Sequence, residues 1–320
     1  MLNDTEKTDI INIIKNVLTK HGIDIDVDKY KDSLDDNIRP MLLFNNGCPF
    51  SKYFREKIAA KLNSVYAFKY PNHAIEMLEN NDLRLTSLKK NEENDPLEYQ
   101  EFWYRLGNLS RMIPDNYDIT ANNWVCNRDK KLPIDKDRKQ IYIYCLTRNP
   151  SYRHWKEYGN DGKNVCIEYN FKPKNKNNDG AFKCGNVHYD SGYDFDFLRE
   201  INYYIRTEYG LFFNPTGWTN FALFYKRNKY RWEEETRISL NLINFGLTED
   251  DMEKGIMNLN YKVNEDGSIN KDIVCIKNNS DYVNWEIKSI TIGTNCPKED
   301  REKIKDIINS NYIHTEIIER

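Results

Sequence analysis

The chain lacks any cysteine pair at the two-residue spacing of a zinc knuckle or a redox dithiol. Its seven cysteines, Cys48, Cys126, Cys145, Cys166, Cys184, Cys275 and Cys296, are odd in number and scattered, which points to reduced thiols rather than a disulfide framework. Several sit in apolar company, as in Ile143-Tyr144-Cys145-Leu146 and Val165-Cys166-Ile167, where cysteine serves as a small hydrophobe. No stretch approaches the roughly 18 apolar residues of a membrane span. The opening Met1-Leu2-Asn3-Asp4-Thr5-Glu6 has no basic-then-apolar signal layout, so the expectation is a soluble, cytoplasmic protein with no membrane partner. Charge of one sign is also missing: 47 basic against 50 acidic residues give −3. That balance removes a global electrostatic case for nucleic acid and leaves only a local basic groove open to it. There is no GxGxxG after a strand, no phosphate loop ending in Gly-Lys-Ser/Thr, no His-Glu-x-x-His and no nucleophile elbow; ordinary dinucleotide-fold, P-loop, zincin and hydrolase sites therefore lack their key contacts. The five histidines show no ligand spacing, and no metal ligands are read from them.

What is present is a chain of 320 residues, long enough to bury its own core. Ile10, Ile11, Ile13, Ile14, Val17 and Leu18 form a helical stripe over 4–20, stopped near His21-Gly22 because glycine ends helices readily. A short apolar run at 41–44, a turn at 46–49 and a helix over 50–62 follow, so residues 1–60 read as an N-terminal helical extension. Strand signals at 65–70 and 83–86 flank a helix at 73–80, and Asn94-Asp95-Pro96 marks a turn. Residues 99–140 read as helical and irregular. Further strands are expected at 140–147, 165–169, 185–189, 273–277 and 285–292, with helices near 154–158, across 193–227 with a break at Asn214-Pro215, and over 298–310; 174–179 reads as a polar insertion. The expected fold class is α+β: a mixed central sheet with flanking helices over 61–320 behind the N-terminal extension.

The most distinctive stretch is Tyr230-Arg231-Trp232-Glu233-Glu234-Glu235-Thr236-Arg237-Ile238-Ser239-Leu240-Asn241-Leu242. From Thr236 it alternates with strand period, which would line Glu233, Glu235 and Arg237 along one face and send Ile238 and Leu240 into the core. One reading is a solvated edge strand whose charges deter pairing with another sheet. The other is a polar site, with carboxylates about 7 Å apart and an arginine holding their charge.

Spaced pieces of the chain together resemble the bacterial domain-of-unknown-function family 2971, over roughly 65–295. Phe68-Lys69-Tyr70 resembles its aromatic-Lys-Tyr strand, and 83–98 its leucine-rich strand followed by Asn-Asp-Pro-x-Glu. Trp155-Lys156-Glu157-Tyr158, Gly162 and Cys166-Ile167-Glu168 are similar to its Trp-x-x-Tyr, glycine and Cys-Ile-Glu segment, and Lys226 with 230–237 resembles its lysine and W-x-x-E-x-E-x-R. Tyr230 stands where tryptophan is usual, Phe68 where tyrosine is common, and Cys145-Leu146-Thr147 where Ser-Leu-Ser is typical. The resemblance names no activity. It implies that Asn94, Asp95, Glu233, Glu235 and Arg237 share a site.

The layout also resembles the ADP-ribosyltransferase superfamily, with an early basic or tyrosine-bearing strand, a middle hydroxyl-bearing strand and a late Glu-x-Glu. That likeness implies NAD as substrate. Glu235 would stabilise an oxocarbenium-like sugar and Glu233 orient the acceptor; Lys69 or Arg237 would anchor phosphate, and Tyr70 or Trp155, with Tyr158 beside it, would stack the leaving base. A second expectation is a nuclease or nucleotide hydrolase, with Asp95, Glu233 and Glu235 on Mg2+ and Lys226 at the phosphate. A third is a non-catalytic sensor binding a nucleotide or other small molecule through Arg237 and Lys226. A toxin or phage-defence role would suit either enzyme. Sequence leaves the oligomeric state open.

Overall fold

The N-terminal apolar stripe folds as helix α1 (Asp4–Lys20). Asn3 and Glu6 exchange backbone and side-chain hydrogen bonds of 2.8 and 2.9 Å in a capping box, satisfying donors that the first helical turn leaves without partners. Gly22, at φ +66°, takes the left-handed conformation just beyond the helix. The structure is a computed structural model that describes residues 1–37, 41–44, 49–91, 93, 140–174, 182–191, 193–194, 196–213, 221–242, 251–252, 254, 259–280 and 282–320. The expected turn at 46–48, the Asn94-Asp95-Pro96 loop, the insertion from 175 and the break at Asn214-Pro215 lie outside these residues.

The chain divides into two compact units: the described residues of the first fall within 1–59 and 188–228, and those of the second within 60–93, 140–187 and 229–320. The residues before 60 thus group with a later segment of the chain. In the first unit α1 packs against a helix at Asp196–Tyr209, with Ile10, Ile14 and Val17 buried on one and Phe197, Ile201 and Ile205 on the other. Strands β1 (Leu34–Asp35) and β2 (Met41–Phe44) pair antiparallel, and helix α2 (Phe50–Lys57) follows. It is shorter than the expected 50–62. Phe44, Phe50, Phe197 and Phe213 meet ring to ring at 5.7–6.0 Å, the separation at which aromatic pairs are attractive.

The second unit is built on strands β3 (Val65–Lys69), β4 (Asp82–Ser87), β5 (Ile141–Thr147), β6 (Val165–Pro173) and β7 (Phe182–Asn186). After two short strands of the first unit, β8 (His188–Tyr189) and β9 (Phe212–Phe213), and a third, β10 (Tyr225–Lys226), the sheet takes β11 (Glu235–Asn241), β12 (Leu259–Val263), β13 (Ile269–Lys277), β14 (Val283–Ile292) and β15 (Glu316–Glu319). This confirms an α+β fold with a large mixed sheet and flanking helices. The short strands β12 and β15 carry too few alternating residues to stand out in the sequence.

Strand β5 organises the sheet. One of its edges pairs along its whole length with β11, which in turn pairs with β7. Its other edge is shared: Thr86 and Ser87 of β4 pair near its start and Tyr66 of β3 pairs at its end. From there the sheet parts into two leaves, β4-β13-β12 and β3-β6-β14-β15. Helix α3 (Pro71–Asn80) bridges β3 and β4, with proline at its first turn, where no backbone N–H is missed. Ala74, Met77 and Leu78 of α3 and Ile304 and Ile308 of a helix at Lys298–Asn311 cover one face of the sheet. They close a core with Val65, Ala67, Leu83, Leu85, Tyr144, Ile167, Ile238, Leu240 and Ile290. Among the described residues no helix is long and apolar enough to cross a membrane.

Asp82, at the start of β4, is almost wholly buried. Burial pushes its carboxyl up to about 6, and Lys277 and Lys262 only partly oppose that shift. Its folded-state value lies above the ordinary one, so Asp82 costs stability above pH 6 and that cost is relieved as pH falls toward 4. We expect Asp82→Asn to gain roughly 2–3 kcal/mol relative to the parent at pH 7. The gain should shrink steadily between pH 6 and pH 4 in chemical denaturation.

Candidate functional site

The charged stretch enters the sheet differently from the simple alternation expected of it. Asn228–Glu233 is a 3-10 helix, and Glu234 adopts φ +43° before β11 begins at Glu235. A non-glycine residue in that conformation costs energy; here both Arg148 N–H and Arg148 Nε donate to the Glu234 carbonyl at 3.2 Å. Glu233 therefore lies outside the pleat, and the expectation of three charges at alternate positions of one strand is corrected to two, Glu235 and Arg237. The solvated-edge reading fails as well, because β11 is flanked on both sides and all seven of its residues are buried.

Burying two charges requires that they satisfy one another. Arg237 Nε donates to Glu235 Oε1 at 2.7 Å and Arg237 Nη2 to Glu235 Oε2 at 3.0 Å, a two-pronged match of guanidinium to carboxylate. Across the ladder Glu235 stands opposite Thr147, Thr147 opposite Tyr66, Tyr66 opposite Glu168, and Glu168 opposite Ser289. Directly paired residues share a face, so Ser289, Glu168, Tyr66, Thr147 and Glu235 form a polar row across five adjacent strands, on the face away from the apolar core. Ser289 Oγ donates to Glu168 Oε2 at 2.8 Å. Burial, and then Glu168, hold the Tyr66 hydroxyl above its usual range. Next along β5, Cys145 pairs with Arg237 and is the strand's one exposed residue.

Glu233 joins this face through helix α5 (Tyr152–Tyr158; α4 is a single turn at Leu88–Asn91). Tyr158 Oη donates to Glu233 Oε1 at 2.6 Å. Thr147 Oγ1 and His154 Nε2 both donate to the Glu233 carbonyl, at 2.8 and 3.0 Å. Because Ser151 N–H donates to His154 Nδ1 at 3.1 Å, the ring carries its proton on Nε2. Tyr158 stacks on Trp232 with centroids 5.8 Å apart and planes at 19°, while Phe68 meets Trp155 edge-on at 5.0 Å. We expect Tyr158→Phe to cost about 1–2 kcal/mol, since the buried Glu233 carboxylate loses a charge-assisted hydrogen bond; thermal denaturation of the two proteins measures it.

The structure thus gathers Glu233, Glu235, Arg237, Trp155 and Tyr158 on one side of the sheet. It does not gather the others. Lys69 is three residues beyond Tyr66 on β3, so the pleat turns it to the opposite, helix-covered face, where its Nζ lies 4.1 Å from the centre of the Tyr144 ring. Tyr70 is exposed beside His73. Lys226 belongs to the first unit, on β10, and Asn94 and Asp95 lie outside the described residues. Sequence reading missed Tyr66, Thr147, Glu168, Ser289 and His154. For Thr147 a signal existed: it is the one small hydroxyl residue of the apolar run 140–147.

Among the described residues no group of three or more His, Cys, Asp or Glu side chains is arranged to hold a metal ion. In comparisons with protein-family models, curated proteins and solved structures, no match was found.

Proposed function

We propose that the protein is an enzyme that uses NAD, cleaving the bond between nicotinamide and ribose over the polar face of the sheet. The observation that carries this reading is the row Ser289, Glu168, Tyr66, Thr147 and Glu235, in which three hydroxyls and two carboxylates line up across five strands. Such a row suits a polyhydroxylated sugar. In the step proposed, the C–N bond breaks with its electron pair going to nicotinamide, the ribose becomes oxocarbenium-like, and an acceptor hydroxyl or water adds to it and loses a proton. Glu235, held in place by Arg237, stabilises the developing positive charge; Glu233 receives or orients the acceptor; and Trp155, Tyr158 and Trp232 supply rings on which the leaving base stacks.

The magnesium-dependent reading has less support, because among the described residues no group of three or more His, Cys, Asp or Glu side chains is arranged to hold a metal ion. The sensor reading draws on that same buried pair, which is built as a structural element would be. Incubation with NAD labelled in both halves separates these readings. Nicotinamide release, with or without transfer of the remainder to lysate protein, is the expected result. NAD binding without release would move the assignment to sensing, and neither binding nor release would remove it.

A further inference from the structure

Where the two leaves of the sheet part, basic groups crowd together beside α3. Arg84 of β4 and Lys262 of β12 converge on the same oxygen, Oε2 of Glu76 on α3, the lysine at 2.8 Å. Lys69, from the end of β3, enters from the other leaf and rests on the Tyr144 ring. It has no carboxylate partner among the described residues, although it is partly withdrawn from water. His73 lies three residues before Glu76, on the same side of α3.

The near neighbours leave this charge unbalanced. Asp82 lies 3.6 Å from Lys277 and 3.4 Å from Arg84 Nε, and neither that nitrogen nor the facing Asp82 Oδ1 makes a hydrogen bond. If Asp82 is matched with Lys277, then Lys69, Arg84 and Lys262 face Glu76, with Glu265 acting on Lys262 as a lesser influence. Positive charge remains in excess. The groups feel one another: burial lowers Lys69 to about 8 with Arg84 adding to the effect, and His73 is lowered by burial and then by Lys262, Lys69 and Arg84. Cations drawn from two leaves are held together against their own repulsion, and an anion would relieve it.

We propose that Lys69, Arg84 and Lys262, with His73 at the rim, form a binding site for a phosphoryl group, such as the phosphate or diphosphate of a nucleotide. Phosphate fits better than a carboxylate: it offers oxygens to a guanidinium fork and two ammonium groups at once. The site needs no NAD chemistry and shares no residue with the polar row. A ligand held here ties the two leaves together at the point where they separate.

Inorganic pyrophosphate is the probe. It should raise the melting temperature in step with the logarithm of its concentration, whereas sodium chloride at matched ionic strength should not. Lys69→Met should melt higher than the parent without anion, because a repelled cation is gone, and should weaken the response to pyrophosphate by about tenfold or more. Lys262→Met should weaken the response also, while Lys288→Met, on an exposed lysine paired with Glu286, should not. In the parent, acylation of Lys69 and Lys262 followed by peptide mass spectrometry should slow several-fold with pyrophosphate while Lys288 is unaffected, a readout independent of any variant's folding. Equal effects of chloride and pyrophosphate, an unchanged response in Lys69→Met, or no protection of Lys69 would each overturn the site. Glu235→Gln should keep the response, so failure of the NAD reading and failure of this one are distinguishable.

Discussion

Arg237→Met will destabilise the protein by about 3–5 kcal/mol, the range for removing one partner of a buried ion pair. The cause is less the lost attraction than the carboxylate left behind: Glu235 is 4% exposed and Arg237 1%, so water cannot replace the guanidinium. The strand offers no easy escape, because β11 is locked between β5 and β7. Removing both charges together, in Glu235→Gln with Arg237→Met, should recover most of that loss, since no uncompensated charge stays inside. Urea denaturation of the parent, the two single variants and the double variant forms the cycle that measures the coupling. A double variant as unstable as the sum of the singles would show that the pair is not the unit it looks like in the structure.

The second large effect is on chemistry. Under the NAD reading, Glu235→Gln should lower nicotinamide release by roughly two to three orders of magnitude, as expected when a pre-arranged charge at the reacting centre is lost. NAD affinity should change far less, because the ground-state ribose carries none of the charge that Glu235 stabilises. The single variant still presents an oxygen to Arg237, and the charge-free double variant serves as a folded control that should be equally inactive. Retained release in either would transfer the catalytic role elsewhere on the face, with Glu168, in the same row, the first residue to examine.

The period-2 pattern after Thr236 gave the direction of β11 and the inward placement of Ile238 and Leu240, because alternation is a local property that a strand cannot hide. The Asp4–Lys20 helix, the β3-α3-β4 unit and β5 were legible for the same reason. Glu233 was misplaced because a glutamate at φ +43° leaves no mark in the sequence; turns of this kind are read from glycine and asparagine, and Glu234 is neither. The row from Ser289 to Glu235 was invisible in advance, since it joins residues over a hundred positions apart and exists only once register is set. Lys69 shows the converse error. The likeness to an early cation-bearing strand suggested the same site as Glu235, but counting from Tyr66 in steps of two sends it to the other face.

Strand β5 is the seam from which both leaves and the β11 ribbon hang. Tyr142, Ile143 and Thr147 answer to partners on both edges, with Tyr144 and Leu146 turned to the apolar layer and Cys145 and Thr147 to the polar one. A single inserted residue inside 141–147 would invert that assignment for three groups of strands in one stroke. Length variation in this family of contacts is thereby confined to the connecting loops, and the seven positions of the seam form a segment whose spacing, more than its composition, the rest of the unit requires.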